Sequence, residues 1–490
     1  MKKKNCFLAY VQLSSILFAC SILNAGEIVV TTSAELASAV NNAVNNTDIL
    51  IADGTYLMTS VLVIGPEWSP TGTPLSNVSI RSQSGNRAAV VLHGPGMTNG
   101  STPRILILIR HTADITIEGL TLRDVRDHLI QVQGEQNPIR TTIRNVHLVD
   151  AGDQFIKVSL DFDHPERHAR DGIIQGCLME YSGTAPDFYT GAIDAHGIEG
   201  WVISANTCRN FVHPAQLVDP AILVWSGSIG TIVEKNLLIE CERGIMFGEG
   251  AVHTSDQHIG GIIRNNIVYR TVSGDTGISL NQTRNVGVYH NTVLLNGTFP
   301  WAIEYRFQSV TGEPSGTLSY NLTDNPIAAR DNAEAQTTGN IANALSTWFA
   351  DPSQADFHLT STALPAIDAA VTLPDVPDDY DGTPRPVNSA PDIGAQEFVD
   401  PDFSHDFFDL SLVNETSVSG VLLAWYSIPG IRYTLWVQSP LTGETYLPLI
   451  SGYAATDAVS ALLDQGNAGN GIPHPSDDPG PRLYKLSFSN

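Results

Sequence analysis

Positive charge is scarce in this chain of 490 residues: 26 Lys and Arg stand against 51 Asp and Glu, a formal net charge of −25. A surface of that sign repels a nucleic-acid backbone and an anionic membrane, so neither is an expected partner. Cysteine is scarce too. Of five, Cys6 and Cys20 lie near the start, leaving Cys177, Cys208 and Cys241. An odd number does not make a disulfide framework, so buried free thiols are expected, with one pair between neighbouring turns as the alternative. After residue 23 no apolar run is long enough to span a bilayer.

The one long apolar run is at the start. Lys2, Lys3 and Lys4 precede an apolar stretch over 7–23, and Ala25 offers a small residue for cleavage. This pattern predicts a signal over 1–25 and a secreted or periplasmic protein. Acylation of Cys20 is the lipoprotein alternative. Cleavage would remove three lysines and no acidic residue, taking the charge from −25 to −28. An anionic polysaccharide would then need a cation or local basic residues to bind.

The strongest positive signal is a repeat. Segments such as DITIEGLTLRD (114–124), TIRNVHLVD (142–150), TIVEKNLLIE (231–240) and VGVYHNTVLLN (286–296) each carry an alternating strand, a pivot, then a second short strand. The pivots are Gly119, Asn145, Gly176, Asn206, Asn236, Asn266, Asn291 and Asn321, spaced by 26, 31, 30, 30, 30, 25 and 30 residues. Glycine and asparagine tolerate the left-handed backbone of a sharp corner, and stacked asparagines can hydrogen-bond from turn to turn. A second column, Ile130, Ile156, Ile193, Ile222, Ile245, Ile278, Ile303 and Ile327, centres a third strand in each turn. The expected fold is all-β: a right-handed parallel β-helix with three strands per turn over 26–400. A helix over 32–45 should cap its open edge. A linker over 401–410 and a small β-sandwich-like domain over 411–490 complete the expected organisation.

The start SAELASAV…ILIADGTY, the Asn-cornered turns and the closing APDIGAQE resemble the pectate-lyase-like superfamily of secreted parallel β-helix proteins. The DGTY start is similar to the alginate lyase and chondroitinase B group, and the last domain resembles fibronectin-type modules. The resemblance covers about residues 26–400 and is specific for fold. For activity it implies lyases, epimerases, hydrolases or non-enzymes.

Site candidates come from strand alternation. If the isoleucine column points inward, residues one and three places later point outward. That sets Lys157 one turn from Asp194 and His196, with Trp225 a turn further, at about 4.8 Å per turn. The loops over 160–171, 181–191 and 210–220 flank this patch, and function concentrates on long loops of a rigid scaffold. Lys157, Asp194, His196, Arg170 and Tyr189 are the catalytic candidates. Trp225, His213, Glu304 and Arg306 are candidates for substrate binding. Asp161, Asp163 and Glu166 are candidate Ca²⁺ ligands, in a loop that also holds His164 and His168. Glu249, His253 and His258 form a secondary cluster. Glu304 lies four turns from Asp194, roughly 19 Å, beyond the 5–10 Å of a glycosidase carboxylate pair.

The leading expectation is a monomeric lyase acting on a uronate polysaccharide by β-elimination. Superfamily lyases use Ca²⁺ or basic side chains to neutralise the uronate carboxylate and Lys or Arg as base. Lys157 would be the base, with its pKa lowered by partial burial or a neighbouring cation. Arg170 or Ca²⁺ would neutralise the carboxylate, and His196 or Tyr189 would protonate the leaving oxygen. The chain matches no lyase signature motif, so these roles rest on strand geometry. A C5-epimerase, a hydrolase using Asp194 with Asp161 or Asp163, and a non-catalytic glycan-binding adhesin are the alternatives.

Overall fold

The structure is a computed structural model. It describes residues 26–399 except Asn99 and Ala251, and beyond them Ile472 and the strands within 409–489. The signal over 1–25 and the segment 401–408 lie outside the described residues. The chain divides into two compact units, one ending at Trp201 and the other beginning at Val202. The fold is a right-handed parallel β-helix, with a set of small antiparallel sheets toward the end of the chain.

In the first unit each turn deals one strand to each of three parallel sheets. Thr142–Arg144, His147–Ala151 and Ile156–Ser159 make one such turn. Ile107, Ile130, Ile156 and Ile193 stand in register across four turns, and all are fully buried. The second unit repeats the pattern with Ile222, Ile245, Ile278, Ile303 and Ile327 in register. Removing this file of apolar surface from water is the main force holding turn on turn.

The cap is the helix Ser33–Asn41. Thr32 and Glu35 make a reciprocal capping box, and Leu36, Ala39 and Val40 supply the buried stripe at helical spacing. In the second unit, Tyr320, Leu322, Trp348, Phe349, Phe357, Ile393 and Ala395 share a buried cluster. Gly394 takes φ +108° there, and a Cβ at that position would sit 2.9 Å from Leu322. The APDIGAQE segment therefore needs its glycine to pack.

The last residues form two three-stranded antiparallel sheets. Leu423, Tyr433, Leu435, Val437, Leu449 and Ile472 share their core. The first strand begins at Asp409, inside the stretch expected to be linker. Cys177, Cys208 and Cys241 are free and buried, as the odd count suggested. Among the described residues no helix is long and apolar enough to cross a membrane.

Two expectations need correction. The pivot column is two columns one residue apart. The left-handed corner residues are Gly119, Asn145 and Gly176, then Ala205, Lys235, Asn265, His290 and Tyr320. Asn206, Asn236, Asn266, Asn291 and Asn321 are the residues after the corner, and they point inward, fully or almost fully buried. Their equivalents in the first unit are Leu120, Val146 and Cys177, also buried. Glycine and asparagine fit both positions, so letters alone did not separate them. Secondly, many of the outward positions beside the isoleucine file do not face solvent, although Gln131, Gln133, Ser159, His196, Trp225 and Arg306 stay partly exposed. Lys157, Asp194, Leu223, Met246, Ser279, Asn281 and Glu304 are all buried. The alternation is right, but neighbouring side chains and loops cover much of that face.

Candidate functional site

The strands Ile156–Ser159 and Ile193–His196 lie side by side, with Lys157 opposite Asp194 and Val158 opposite Ala195. Ile156, Val158, Ile193 and Ala195 fill the interior, so alternation turns Lys157, Asp194 and His196 to the other face. The loop over 181–191 brings a fourth group. The Asp187 carboxylate accepts from the backbone N–H of Phe188 at 2.6 Å and of Tyr189 at 3.4 Å, and Thr190 Oγ1 donates to the Asp187 carbonyl. This pinned turn presents Tyr189.

The four meet at one atom. Lys157 Nζ lies 2.9 Å from His196 Nε2 and 3.1 Å from Tyr189 Oη, and is in direct contact with the Asp194 carboxylate. His196 Nε2 is 3.4 Å from Asp194 Oδ1. An ammonium has three N–H donors, and three acceptors surround it here. The Lys157 side chain is 10% exposed and that of Asp194 3%, whereas Tyr189 is 42% exposed. The cluster is a buried ion pair with an open phenol at its mouth.

Burial alone would strip the charge from both partners. Asp194 nevertheless sits at about 2, because its neighbours His196 and Lys157 outweigh desolvation. Burial also works against the Lys157 ammonium, but the Asp194 charge and hydrogen bond, then Tyr189, hold it above the ordinary lysine value. This reverses the expected direction. Lys157 is a cation at neutral pH and no base in the free protein, because its near neighbour is a carboxylate rather than another cation.

Two further groups escaped the sequence reading. His128 is driven down to about 4 by burial, and its ring donates through Nδ1 to the Gln154 carbonyl at 2.8 Å. It is a neutral imidazole beside the cluster. Asp153 is raised to about 6 by burial and then by Asp127 and Asp187. Neither carries a motif; only their position against the strand of Lys157 would have found them.

The remaining candidates lie elsewhere. Arg170 is tied through its backbone, donating to the Pro138 carbonyl and accepting from Arg140. The loop carboxylates go instead to Arg167, which the sequence reading passed over. Its guanidinium is 3.5 Å from Asp161 and lies over the Trp68 ring at 4.7 Å. Asp161 also accepts from the Asp163 N–H, and Glu166 pairs with His164 at 3.3 Å. Asp161, Asp163 and Glu166 therefore do not converge, and among the described residues no group of three His, Cys, Asp or Glu could hold a metal ion. The expected Ca²⁺ does not fit these ligands, because Arg167 and the Asp163 N–H take the Asp161 oxygens and Glu166 turns to His164.

Trp225 ends the strand Ile222–Trp225 in the second unit, half-buried. His213 Nδ1 accepts from the N–H of Ala215 and Gln216, so its lone pair orders its own loop. Glu304 is buried against Arg330 at 2.7 Å, with Ser279 donating at 3.2 Å. Arg306 is 4.0 Å from Glu304 and pairs more closely with Asp331 at 2.7 Å. Glu249 pairs with Arg243, and His253 donates to the Glu249 carbonyl. His258 is buried, stacked on Phe247 and driven down to about 3 by burial.

No family model matches this chain, and no curated protein matches it. Among solved structures, a pectate lyase is similar over 77% of this chain and 98% of its own length, at a TM-score of 0.53 and 12% identity. An alginate lyase from Paenibacillus covers 65% of this chain and 99% of its own, at 0.37 and 16%. A surface adhesin of Streptococcus pneumoniae covers 63% and 88%, at 0.43 and 11%. The first of these likenesses establishes a shared β-helix fold, and a shared fold leaves activity to the site.

Proposed function

We propose that Lys157, Asp194, His196 and Tyr189 form the catalytic centre of an exported lyase that cleaves a polysaccharide beside a uronate by β-elimination. The observation that carries this reading is the single ammonium shared by a carboxylate, an imidazole and an exposed phenol. The proton on C5 of a uronate is weakly acidic. Removing it requires a positive charge for the adjacent carboxylate, a base, and an acid for the leaving oxygen.

Lys157 supplies the charge. Asp194 keeps it protonated and stays with it, being the more buried of its acceptors. A uronate carboxylate that takes the other two hydrogens of Nζ displaces His196 Nε2 and Tyr189 Oη. The freed imidazole accepts the C5 proton. The C4–O bond breaks, a C4–C5 double bond forms, and the Tyr189 hydroxyl protonates the departing oxygen. The proton on His196 then returns to Tyr189, directly or through water, and the site is restored. No step passes through a metal. Hydrolysis would need a second carboxylate in reach, and Asp161 is engaged by Arg167.

The test is turnover of a panel of uronate polysaccharides, following ultraviolet absorbance of unsaturated ends together with new reducing ends. His196→Gln and Tyr189→Phe are expected to lower the rate by about 10²–10⁴-fold. Ca²⁺ and chelator should leave it unchanged. Reducing ends without absorbance would show a hydrolase, altered uronate composition without cleavage an epimerase, and binding without either a glycan-binding surface. Each of those outcomes removes the lyase reading.

A further inference from the structure

We propose that the chain's substrate is a heteropolymer whose reactive uronate is flanked by neutral sugars, held by Phe162 and Phe188; this rests on reading the Lys157 cluster as the reaction centre.

The first observation is where exposed aromatic rings occur. Among the described residues only three are more than a third exposed: Phe162 at 70%, Phe188 at 51% and Tyr189 at 42%. All three lie on the two loops beside Lys157, Asp194 and His196. Tyr189 touches Lys157, and the Phe162 ring stands edge-on to the His196 imidazole, with centroids 6.2 Å apart. An aromatic side chain left in water gives up a large hydrophobic gain. Three such side chains on one site mark a surface that is covered in use.

Neither phenylalanine hangs on a loose tip. Each follows an aspartate that pins its turn. Asp161 accepts from the Asp163 N–H at 3.0 Å through its side chain and from the His164 N–H at 3.1 Å through its carbonyl. Asp187 accepts from Phe188 N–H. The Asp-Phe pair recurs on both loops, and in both the turn holds the ring outward before any ligand arrives, which lowers the entropy lost on binding.

The second observation is charge. The loop over 160–171 carries Asp161, Asp163, Glu166 and Asp171 against Arg167 and Arg170, a surplus of two negative charges, and Asp187 on the facing loop adds a third. Lys157 is matched by Asp194, and Arg167 by Asp161. One uronate can be accepted at Lys157. A polymer with a carboxylate on every sugar would press further charges against Asp163, Glu166 and Asp187. A neutral pyranose presents an apolar C–H face to an aromatic ring and brings no charge. Rings and acidic walls therefore select the same neighbour.

The experiment is affinity electrophoresis of the full chain, with deacylated gellan (each glucuronate flanked by glucose), polygalacturonate and alginate in the gel. Wild type, Phe162→Ala and Phe188→Ala are compared, with thermal melts to check folding. Gellan should retard the wild type most, and each substitution should weaken that retention by roughly tenfold. Added salt should narrow the difference by screening the homopolyuronates. Equal or stronger retention by a homopolyuronate, unchanged retention of both variants, or retention by none of the three overturns the proposal. The two readings fail separately. Ring-dependent retention with no unsaturated product from any polymer keeps the clamp and removes the lyase. Elimination on a homopolyuronate with unaffected Phe variants keeps the lyase and removes the clamp.

Discussion

The corners of the two units solve one problem in different ways. A sharp turn needs a residue in the left-handed region, which costs about 1–2 kcal/mol for most side chains. In the first unit the residue after the corner is apolar, Leu120, Val146 or Cys177, and the corner itself is Gly119, Asn145 or Gly176. These are residues that accept the conformation cheaply. In the second unit Asn265 is again such a residue, but the other four corners are Ala205, Lys235, His290 and Tyr320, which are not. There the next residue is asparagine. Asn266 accepts from the N–H of Asn236 and from its side-chain amide, and donates in turn to Asn291 and to the Val233 carbonyl. Each rung has its donors and acceptors met inside the core. A satisfied polar ladder can hold strained corners; an apolar step leaves the burden on the corner residue.

That comparison can be broken most severely at a rung. Asn266→Ala removes the acceptor for two buried N–H groups of Asn236 and one of the donors to the Val233 carbonyl. At about 1–3 kcal/mol per orphaned group, we expect a loss of about 4 kcal/mol in chemical denaturation. Val146→Ala at the equivalent place in the first unit should cost about 1–2 kcal/mol, a packing loss alone. Equal effects would mean that the ladder is incidental.

The first unit carries its polar stake elsewhere, in the Lys157–Asp194 pair. Lys157→Met strands a buried carboxylate and should cost about 3 kcal/mol. The pH dependence has a definite sign. Asp194 is depressed in the fold, so its contribution is present above its ordinary value of 3.8 and is lost as pH falls through about 2. Lys157 is raised, so its contribution holds below the ordinary lysine value and is lost as pH rises past the folded one. Asp194→Asn should abolish the acid limb of that stability profile.

The gentlest test exchanges the corners. Gly176→Ala meets no atom closer than 4.0 Å, so only its φ of +63° opposes it, and the expected loss is about 1 kcal/mol. Ala205→Gly should be neutral or stabilise by up to about 1 kcal/mol, since it relieves a left-handed alanine. Opposite signs in thermal melts would sharpen the contrast, and matching signs would erase it.

Much of this was legible in the residues. The capping helix, the isoleucine file and the pairing of Lys157 with Asp194 all follow from spacing and alternation, because a parallel stack fixes register wherever its core positions recur. Tyr189 was found through the length of its loop. Phe162, Phe188, Arg167 and His128 were not, since a single aromatic or basic residue in a loop says nothing of what it meets. Asp161, Asp163 and Glu166 misled for the same reason: closeness along the chain did not make them converge.

By itself the sequence determined the period, the inward file and the neighbours across each strand pair, because these repeat and repetition is visible in one dimension. Only the tertiary structure decided which asparagines turn the corner and which form the ladder, how deeply Lys157 is covered, and that it is held charged. Those outcomes depend on balances between desolvation, charge and hydrogen bonding, and such balances are set by distances between side chains that lie far apart along the chain.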